Sequence, residues 1–187
     1  TEGAFKLEGK TKVSAALMPD YSACVGFEPD GVGSGFSRKF IQDMLREQQN
    51  YDGVICSDWG ITHDEVGVYA CKGKPWGMET KSVAERHYKV LMAGVDQFGG
   101  NNDRGPVLDA YHIGVEKQGE EWMQQRMRTS ARRLLTNIFR TGLFENPYLD
   151  PAHTSEVVGC PEFMQEGYDA QLKSVVMLKN HAGVLHL

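Results

Sequence analysis

Short apolar runs alternate with amphipathic helical patterns over the first half of the 187-residue chain, and this alternation limits the folds open to it. The runs at residues 12–18, 51–56 and 94–98 are too short for helices, so they predict buried strands. Apolar side chains at helical spacing over residues 36–45 and 83–91 predict a helix after each of the first two strands. Strands that alternate with helices are typical of parallel β/α architecture, so the sequence predicts an α/β fold.

Helix boundaries are marked around two of the helical patterns. Ser82 and Glu85 have the spacing of a capping box at the start of one helix, and Gly94 predicts its end. A long amphipathic helix is predicted for residues 120–141, because Gly142 stands where a left-handed helix stop is expected.

The last part of the chain has a different character. Residues 142–163 contain Pro147, Pro151 and Pro161 and show little periodicity, so they predict an extended linker without secondary structure. One more helix with an apolar face is predicted for residues 168–178. We therefore expect a domain boundary between the long helix and the last one.

Composition excludes several classes of protein. With 25 acidic and 20 basic side chains the net charge is −5, which disfavours a nucleic-acid partner. No apolar stretch approaches the roughly 18 residues that a membrane-spanning helix needs, so no membrane partner is predicted. The four cysteines form no CxxC pair, which argues against a zinc ribbon or a redox dithiol and predicts free core thiols: Cys24, Cys56, Cys71 and Cys160.

Three parallel strands are too few to form a closed structure by themselves. The edges of such a sheet are exposed, whereas parallel sheets are normally covered on both faces. A complete (β/α)8 barrel takes about 250 residues, so three strand–helix units fit the closing portion of a TIM-type barrel. The chain is therefore expected to be part of a larger fold.

The strand at residues 51–56 leads directly into the most informative residues of the chain, Asp58 and Trp59. Barrel enzymes carry their chemistry at this end of the strands. An indole beside a carboxylate suits a sugar ring, which stacks on the aromatic face while the carboxylate meets the anomeric carbon. The alternative is that Asp58 caps a turn and Trp59 packs. A second candidate site is the glycine-rich loop 31–35, whose backbone amides suit a phosphate.

Several motifs in the same order resemble family 3 of the glycoside hydrolases, the β-glucosidase and β-xylosidase family. The stretch Gly53-Val-Ile-Cys-Ser-Asp58-Trp59 resembles its nucleophile signature, GVVxSDW. Four further segments resemble other motifs of the family. Arg46-Glu47 with Tyr51-Asp-Gly resembles its "LRE…FDG" motif, and Ala93-Gly-Val-Asp96 resembles its "AGxDM" motif. Gly142-Leu-Phe-Glu-Asn-Pro-Tyr148 resembles its barrel-exit motif, and residues 170–180 resemble the start of its second domain. The resemblance extends over most of residues 36–187.

The resemblance implies a two-domain retaining enzyme in which Asp58 is the nucleophile and Trp59 lines the sugar site. Tyr21 matches a strand-end tyrosine of the family, with a rim aromatic as the alternative. Residues 1–143 would be the C-terminal part of the barrel, 144–163 the linker and 164–187 the start of an α/β sandwich domain. The family's other sugar-binding residues are expected before residue 1 and its acid/base after residue 187.

The function predicted from this resemblance is a retaining, β-glucosidase-like hydrolase that cleaves sugars from the non-reducing end. The expected partners are a β-linked oligosaccharide or an aryl or alkyl glycoside, together with the remainder of the same polypeptide. No metal or organic cofactor is predicted. The alternatives are a catalytically silent fragment and a phosphate-binding α/β protein. The localisation stays open, with a periplasmic or secreted location slightly favoured over a cytoplasmic one.

Overall fold

A computed structural model describes residues 13–64 and 74–181 of the chain. The chain divides into two compact units, and the division falls between Thr141 and Gly142. Within the described ranges, no helix is both long and apolar enough to cross a bilayer.

The three apolar runs lie side by side in the first unit and are parallel. Strand β1, Ala16–Leu17, pairs with strand β2, Val54–Ile55, so that Ala16 lies opposite Val54. The third run joins through a parallel bridge between Cys56 and Gln97. The predicted parallel order is therefore confirmed, although each paired segment is much shorter than the apolar run that contains it.

Helices connect these strands. A 3₁₀-helix at Ser34–Phe36 and a ten-residue π-helix at Lys39–Gln48 follow β1. Among the described residues of the first unit, three α-helices follow β2: α1 at Val83–Ala93, α2 at Gly105–Gln118 and α3 at Glu120–Arg140.

The capping box predicted for α1 is confirmed. The Ser82 hydroxyl accepts from the Glu85 amide at 3.2 Å, and the Glu85 carboxylate accepts from the Ser82 amide at 2.9 Å. Gly94 ends the helix with a φ of 110°, in the left-handed region that glycine favours.

Helix α2 is an element that the sequence patterns missed. It contains Gly105 and Gly114, and glycine weakens a helical pattern. A side chain at position 114 would collide with Met123 of α3, because a Cβ there would lie 2.7 Å from the Met123 Cε atom. Gly114 therefore lets the two helices pack closely, and this requirement is visible only in three dimensions.

The core of the first unit lies between the strands and the helices. Four of its fully buried apolar side chains come from the 3₁₀-helix, the π-helix, β2 and α1: Phe36, Ile41, Ile55 and Val90. The strands end at the edge of this core, and the chain continues from the end of β2 to Asp58.

A buried carboxylate joins four segments around this core. One oxygen of Asp96 accepts from the Arg46 guanidinium at 2.6 Å and from the Ile55 amide at 3.1 Å. The other oxygen accepts from the Ser130 hydroxyl at 2.7 Å and from the Arg133 guanidinium at 3.0 Å. The π-helix, β2 and α3 are thereby tied to the segment that follows α1.

In the second unit, residues 142–181 contain two α-helices, α4 at Pro151–Val157 and α5 at Pro161–Ser174. The prediction that residues 142–163 lack secondary structure is wrong, because α4 lies inside them. Its start is stabilised by the Asp150 carboxylate, which accepts from the Ala152 amide at 2.9 Å, and by a proline in the first turn.

Two smaller predictions also need correction. Helix α5 begins earlier than the predicted 168–178 and ends at Ser174, before two valines whose β-branched side chains favour extended backbone. Cys24 is exposed and Cys56 and Cys160 are half-buried, so the prediction of core thiols is wrong for Cys24. Cys71 lies outside the described residues.

Candidate active site

Asp58 and Trp59 lie just beyond the carboxyl end of β2, as predicted from the sequence. The chain turns there, since the Ile61 amide donates to the Asp58 carbonyl at 3.4 Å and Gly60 has a φ of +66°. The Asp58 carboxylate is half-buried and accepts from the backbone amide of Trp59 at 2.6 Å. It is accessible from solvent and held in one orientation, as a nucleophile requires.

The indole of Trp59 is 60% exposed and lies against two glycines. A Cβ at Gly99 would lie 2.9 Å from the indole Cε3 atom, and a Cβ at Gly100 would lie 2.8 Å from Cγ. We call Gly99–Gly100 the Gly-Gly turn; its second residue has a φ of +67°. The turn supports one side of the ring and leaves another side open to a ligand.

Ser57 joins the turn after β2 to the Gly-Gly turn. Its amide donates to the Gln97 carbonyl at 2.8 Å, and its hydroxyl accepts from the Gly99 amide at 2.9 Å. The same hydroxyl donates to the Asp58 carbonyl at 3.2 Å. Ser57 is buried, so these bonds fix the backbone on which the carboxylate and the indole stand.

Tyr21 is brought to the same place from a loop that follows β1. Its phenol donates to the Trp59 carbonyl at 2.7 Å. Burial raises the pKa of Tyr21 to about 12, and the nearby Asp58 carboxylate contributes to the increase. The phenol is therefore protonated at neutral pH and acts as a hydrogen-bond donor beside Asp58.

Cys56 is a second titratable side chain whose pKa is affected by the Asp58 carboxylate. Burial, followed by the charge of Asp58, raises the pKa of the Cys56 thiol. A thiol with a raised pKa is a poor nucleophile. Asp58 is therefore the better candidate nucleophile of these two side chains.

The glycine-rich loop 31–35 does not suit a phosphate. The amide of Gly31 donates to the Glu28 carbonyl, that of Gly33 to the Trp76 carbonyl at 2.9 Å, and that of Ser34 to the Ser22 carbonyl at 2.9 Å. These three amides already donate to carbonyl groups of the protein, so they are not free to donate to an anion. Across residues 13–64 and 74–181, no three His, Cys, Asp or Glu side chains are grouped to hold a metal ion.

A carboxylate, a phenol and an exposed indole at the end of a parallel strand define the class of this molecule: an α/β protein with a site suited to a sugar ring. No family model matches the chain. Over 183 residues, the chain is 37% identical to a periplasmic β-glucosidase/β-xylosidase from Dickeya chrysanthemi. The aligned region covers 90% of this chain and 27% of that protein. Over 172 residues, it is 33% identical to β-glucosidase C of Emericella nidulans, covering 91% of this chain and 27% of that protein.

Solved structures show the same fold. A β-glucosidase from Erythrobacter marinus superimposes with a TM-score of 0.60 and 26% identity over 84% of this chain and 19% of that one. A β-glucosidase involved in saponin metabolism from intestinal bacteria gives a TM-score of 0.64 at 21% identity, over 92% of this chain and 20% of that one. The chain therefore belongs to the β-glucosidase and β-xylosidase family, family 3 of the glycoside hydrolases, as its motifs predicted. It spans 27% of the length of the two curated relatives named above.

Proposed function

We propose that this chain supplies the nucleophile and part of the sugar site of a retaining β-glycoside hydrolase. The observation that carries the proposal is the Asp58 carboxylate at the end of β2, held beside the exposed indole of Trp59. The substrates would be β-linked oligosaccharides or aryl or alkyl β-glycosides, cleaved from the non-reducing end. The names of the two curated relatives, a β-glucosidase/β-xylosidase and a β-glucosidase, support this substrate class.

In the proposed mechanism, an Asp58 oxygen attacks the anomeric carbon while the bond to the leaving-group oxygen breaks. A second carboxyl group gives its proton to that oxygen, and the covalent glycosyl-Asp58 intermediate is then hydrolysed by water. The Trp59 amide donates to the Asp58 carboxylate and holds it in place, and the Tyr21 phenol lies beside it. The indole face of Trp59 packs against the C–H groups of the sugar. The chemistry needs no metal or organic cofactor.

The rest of the machinery is proposed to lie in other parts of the polypeptide. Residues 1–143 would be the closing portion of a TIM-type barrel, 144–163 the linker, and 164–187 the start of an α/β sandwich domain. The division between two compact units at residue 142 supports this arrangement. The acid/base carboxyl group and further sugar-binding residues would come from outside this chain. A periplasmic location is proposed by analogy with the relative from Dickeya chrysanthemi.

Covalent labelling tests the proposal. The complete polypeptide that carries this sequence is incubated with 2-deoxy-2-fluoro-β-glucosyl fluoride, and its intact mass and peptide map are then measured. The fluoro-sugar slows hydrolysis of the intermediate, so we expect one label on the peptide that contains Asp58.

The variant Asp58→Asn is expected to lose both the label and turnover of an aryl β-glucoside, because an amide is a much weaker nucleophile. Asp109→Asn, which changes an exposed carboxylate on α2, is the matched control and is expected to retain both. A label on another peptide, or turnover that survives Asp58→Asn, would contradict the assignment. A complete polypeptide that takes no label and hydrolyses no β-glycoside would favour a catalytically silent protein.

A further inference from the structure

His87 is a fully buried imidazole at the side of the candidate site. It belongs to α1 and has no exposed surface. Its Nδ1 atom lies 2.8 Å from the Val83 carbonyl oxygen. Its Nε2 atom lies 2.6 Å from the Asn101 amide nitrogen and 3.3 Å from the Thr62 hydroxyl. Both ring nitrogens are thus engaged, although no sequence motif marked this residue.

The hydrogen bonds define which form of the ring is present. The Val83 carbonyl only accepts, so Nδ1 carries the proton. The Asn101 side-chain oxygen accepts from the Asp103 amide at 3.0 Å, which turns the Asn101 NH₂ group toward the ring. Nε2 is therefore an unprotonated acceptor. Burial lowers the pKa of His87, which agrees with a neutral ring.

The two partners of Nε2 belong to the two segments that hold Trp59. Thr62 lies in the turn after Trp59, and Asn101 directly follows the Gly-Gly turn. These segments are also joined by the Gly60 amide, which donates to the Gly99 carbonyl at 3.1 Å. The His87 ring itself packs on Phe98, with their centroids 4.5 Å apart. One imidazole thus contacts both sides of the structure that supports the indole.

We propose that His87 is a positioning residue for Trp59, holding the Gly-Gly turn and the turn after Trp59 at the spacing that a bound sugar requires. The proposal rests on the proposed function in one respect, because it takes Trp59 to line the sugar site. His87 is buried and contacts no substrate, so its effect on catalysis passes through the indole. A misplacement of a substrate-positioning group by about 1 Å is enough to lower a rate about hundredfold.

Three variants of the complete polypeptide separate positioning from simple folding. His87→Leu removes the hydrogen bonds of the ring and is expected to lower kcat/KM by about tenfold to hundredfold. His87→Gln places an amide oxygen where Nε2 lies, so it keeps an acceptor for Asn101 and is expected to recover part of the loss. His112→Leu changes an exposed histidine on α2 and is expected to leave kcat/KM unchanged.

A double-mutant cycle with Trp59→Ala then measures the energetic coupling between His87 and Trp59. If His87 acts through the indole, His87→Leu costs much less in a Trp59→Ala background than in the wild type, so the two effects are not additive. Additive effects on kcat/KM would overturn the proposal, as would full activity of His87→Leu.

A second readout does not depend on activity. In the complete polypeptide labelled with 5-fluorotryptophan, the ¹⁹F resonance of Trp59 is the one that is lost in Trp59→Phe. We expect His87→Leu to shift or broaden this resonance and His112→Leu to leave it unchanged. An indole that is unaffected by His87→Leu would overturn the inference even if β-glycosidase activity is found. Failure of the fluoro-sugar labelling would instead count against the proposed function and leave this measurement decisive for His87.

Discussion

At the scale of single residues, the indole of Trp59 has its place because the two residues beneath it carry no side chain. Gly99 and Gly100 approach the ring so closely that a Cβ on either one would overlap it. Gly100 also has a positive φ, which alone would make another residue unfavourable. The sequence shows both glycines but gives them no role beyond ending a strand.

The substitution Gly100→Ala is expected to displace the indole. The added methyl group would meet the ring, so we expect kcat/KM for an aryl β-glucoside to fall by on the order of tenfold. Gly26→Ala is the matched control, because Gly26 has a φ of +79° but nothing within 4 Å of its Cβ position. Both variants place alanine at a positive φ, so both should unfold at a lower temperature than the wild type. Only Gly100→Ala should also lose activity. Equal kinetics for the two variants would contradict this role of the turn.

Tyr21 contributes a single hydroxyl group that donates to the Trp59 carbonyl and interacts with Asp58. Tyr21→Phe keeps the ring but removes this donor, so kcat/KM is expected to fall by on the order of tenfold. Because the pKa of the phenol is raised to about 12, it does not ionise below pH 10. The pH–rate profiles of Tyr21→Phe and the wild type should therefore have the same shape up to pH 10. A basic limb that disappears in Tyr21→Phe would show that the phenol titrates in this range.

At the scale of elements, helix α1 supports the segments that hold Trp59. Its start is fixed by the reciprocal bonds of Ser82 and Glu85, and its first two turns provide Arg86 and His87. The Arg86 guanidinium donates to the Thr62 carbonyl at 3.3 Å and to the Asp64 carboxylate at 2.7 Å. Neighbouring residues of one helix thus hold the turn after Trp59 by both its backbone and its side chains.

The substitution Ser82→Ala is expected to lower the free energy of unfolding by about 1 kcal/mol, because it removes the cap of α1. Urea denaturation at pH 7 measures this loss. Hydrogen bonds from the Ser82 amide and hydroxyl lower the pKa of Glu85 below its usual 4.5. Stability from a lowered carboxyl pKa is present above pH 4.5 and lost as the pH falls below it. The difference between Ser82→Ala and the wild type should therefore shrink in acid, and a constant difference would contradict the capping-box contribution.

At the scale of the whole first unit, the Asp96 carboxylate is the point where helices and strands are joined. It is inaccessible to solvent and lies among Arg46, Arg126 and Arg133. It also accepts the amide of Ile55, three residues before the candidate nucleophile. The segment that carries Asp58 is thus anchored to α3 and the π-helix through one side chain.

The substitution Asp96→Asn is expected to destabilise the first unit by about 3–5 kcal/mol, because it leaves buried guanidinium groups without their carboxylate. Asp52→Asn is the matched control: Asp52 pairs with the same Arg133 at 2.9 Å but is 56% exposed. We expect this exposed pair to contribute less than about 1 kcal/mol. Urea denaturation of both variants distinguishes them, and comparable losses would show that burial of Asp96 is not what makes it important.

The sequence by itself determined the features that depend on neighbours along the chain. The α/β order follows from periodicity, and the start of α1 follows from Ser82 and Glu85. The place of Asp58 and Trp59 at the end of β2 follows from an apolar run that stops just before them. Each of these depends on residues a few positions apart, where the chemistry of the backbone fixes the outcome.

Only the tertiary structure decided which distant residues share the site. Tyr21 reaches the Trp59 carbonyl across 38 positions of sequence, and His87 contacts both segments that hold the indole. Packing also explains why Gly114 lies within α2, and it shows that the amides of Gly31, Gly33 and Ser34 donate to carbonyl groups of the protein. Such contacts depend on the path of the whole chain, because a side chain gains a partner only when packing brings two remote segments within a few ångströms.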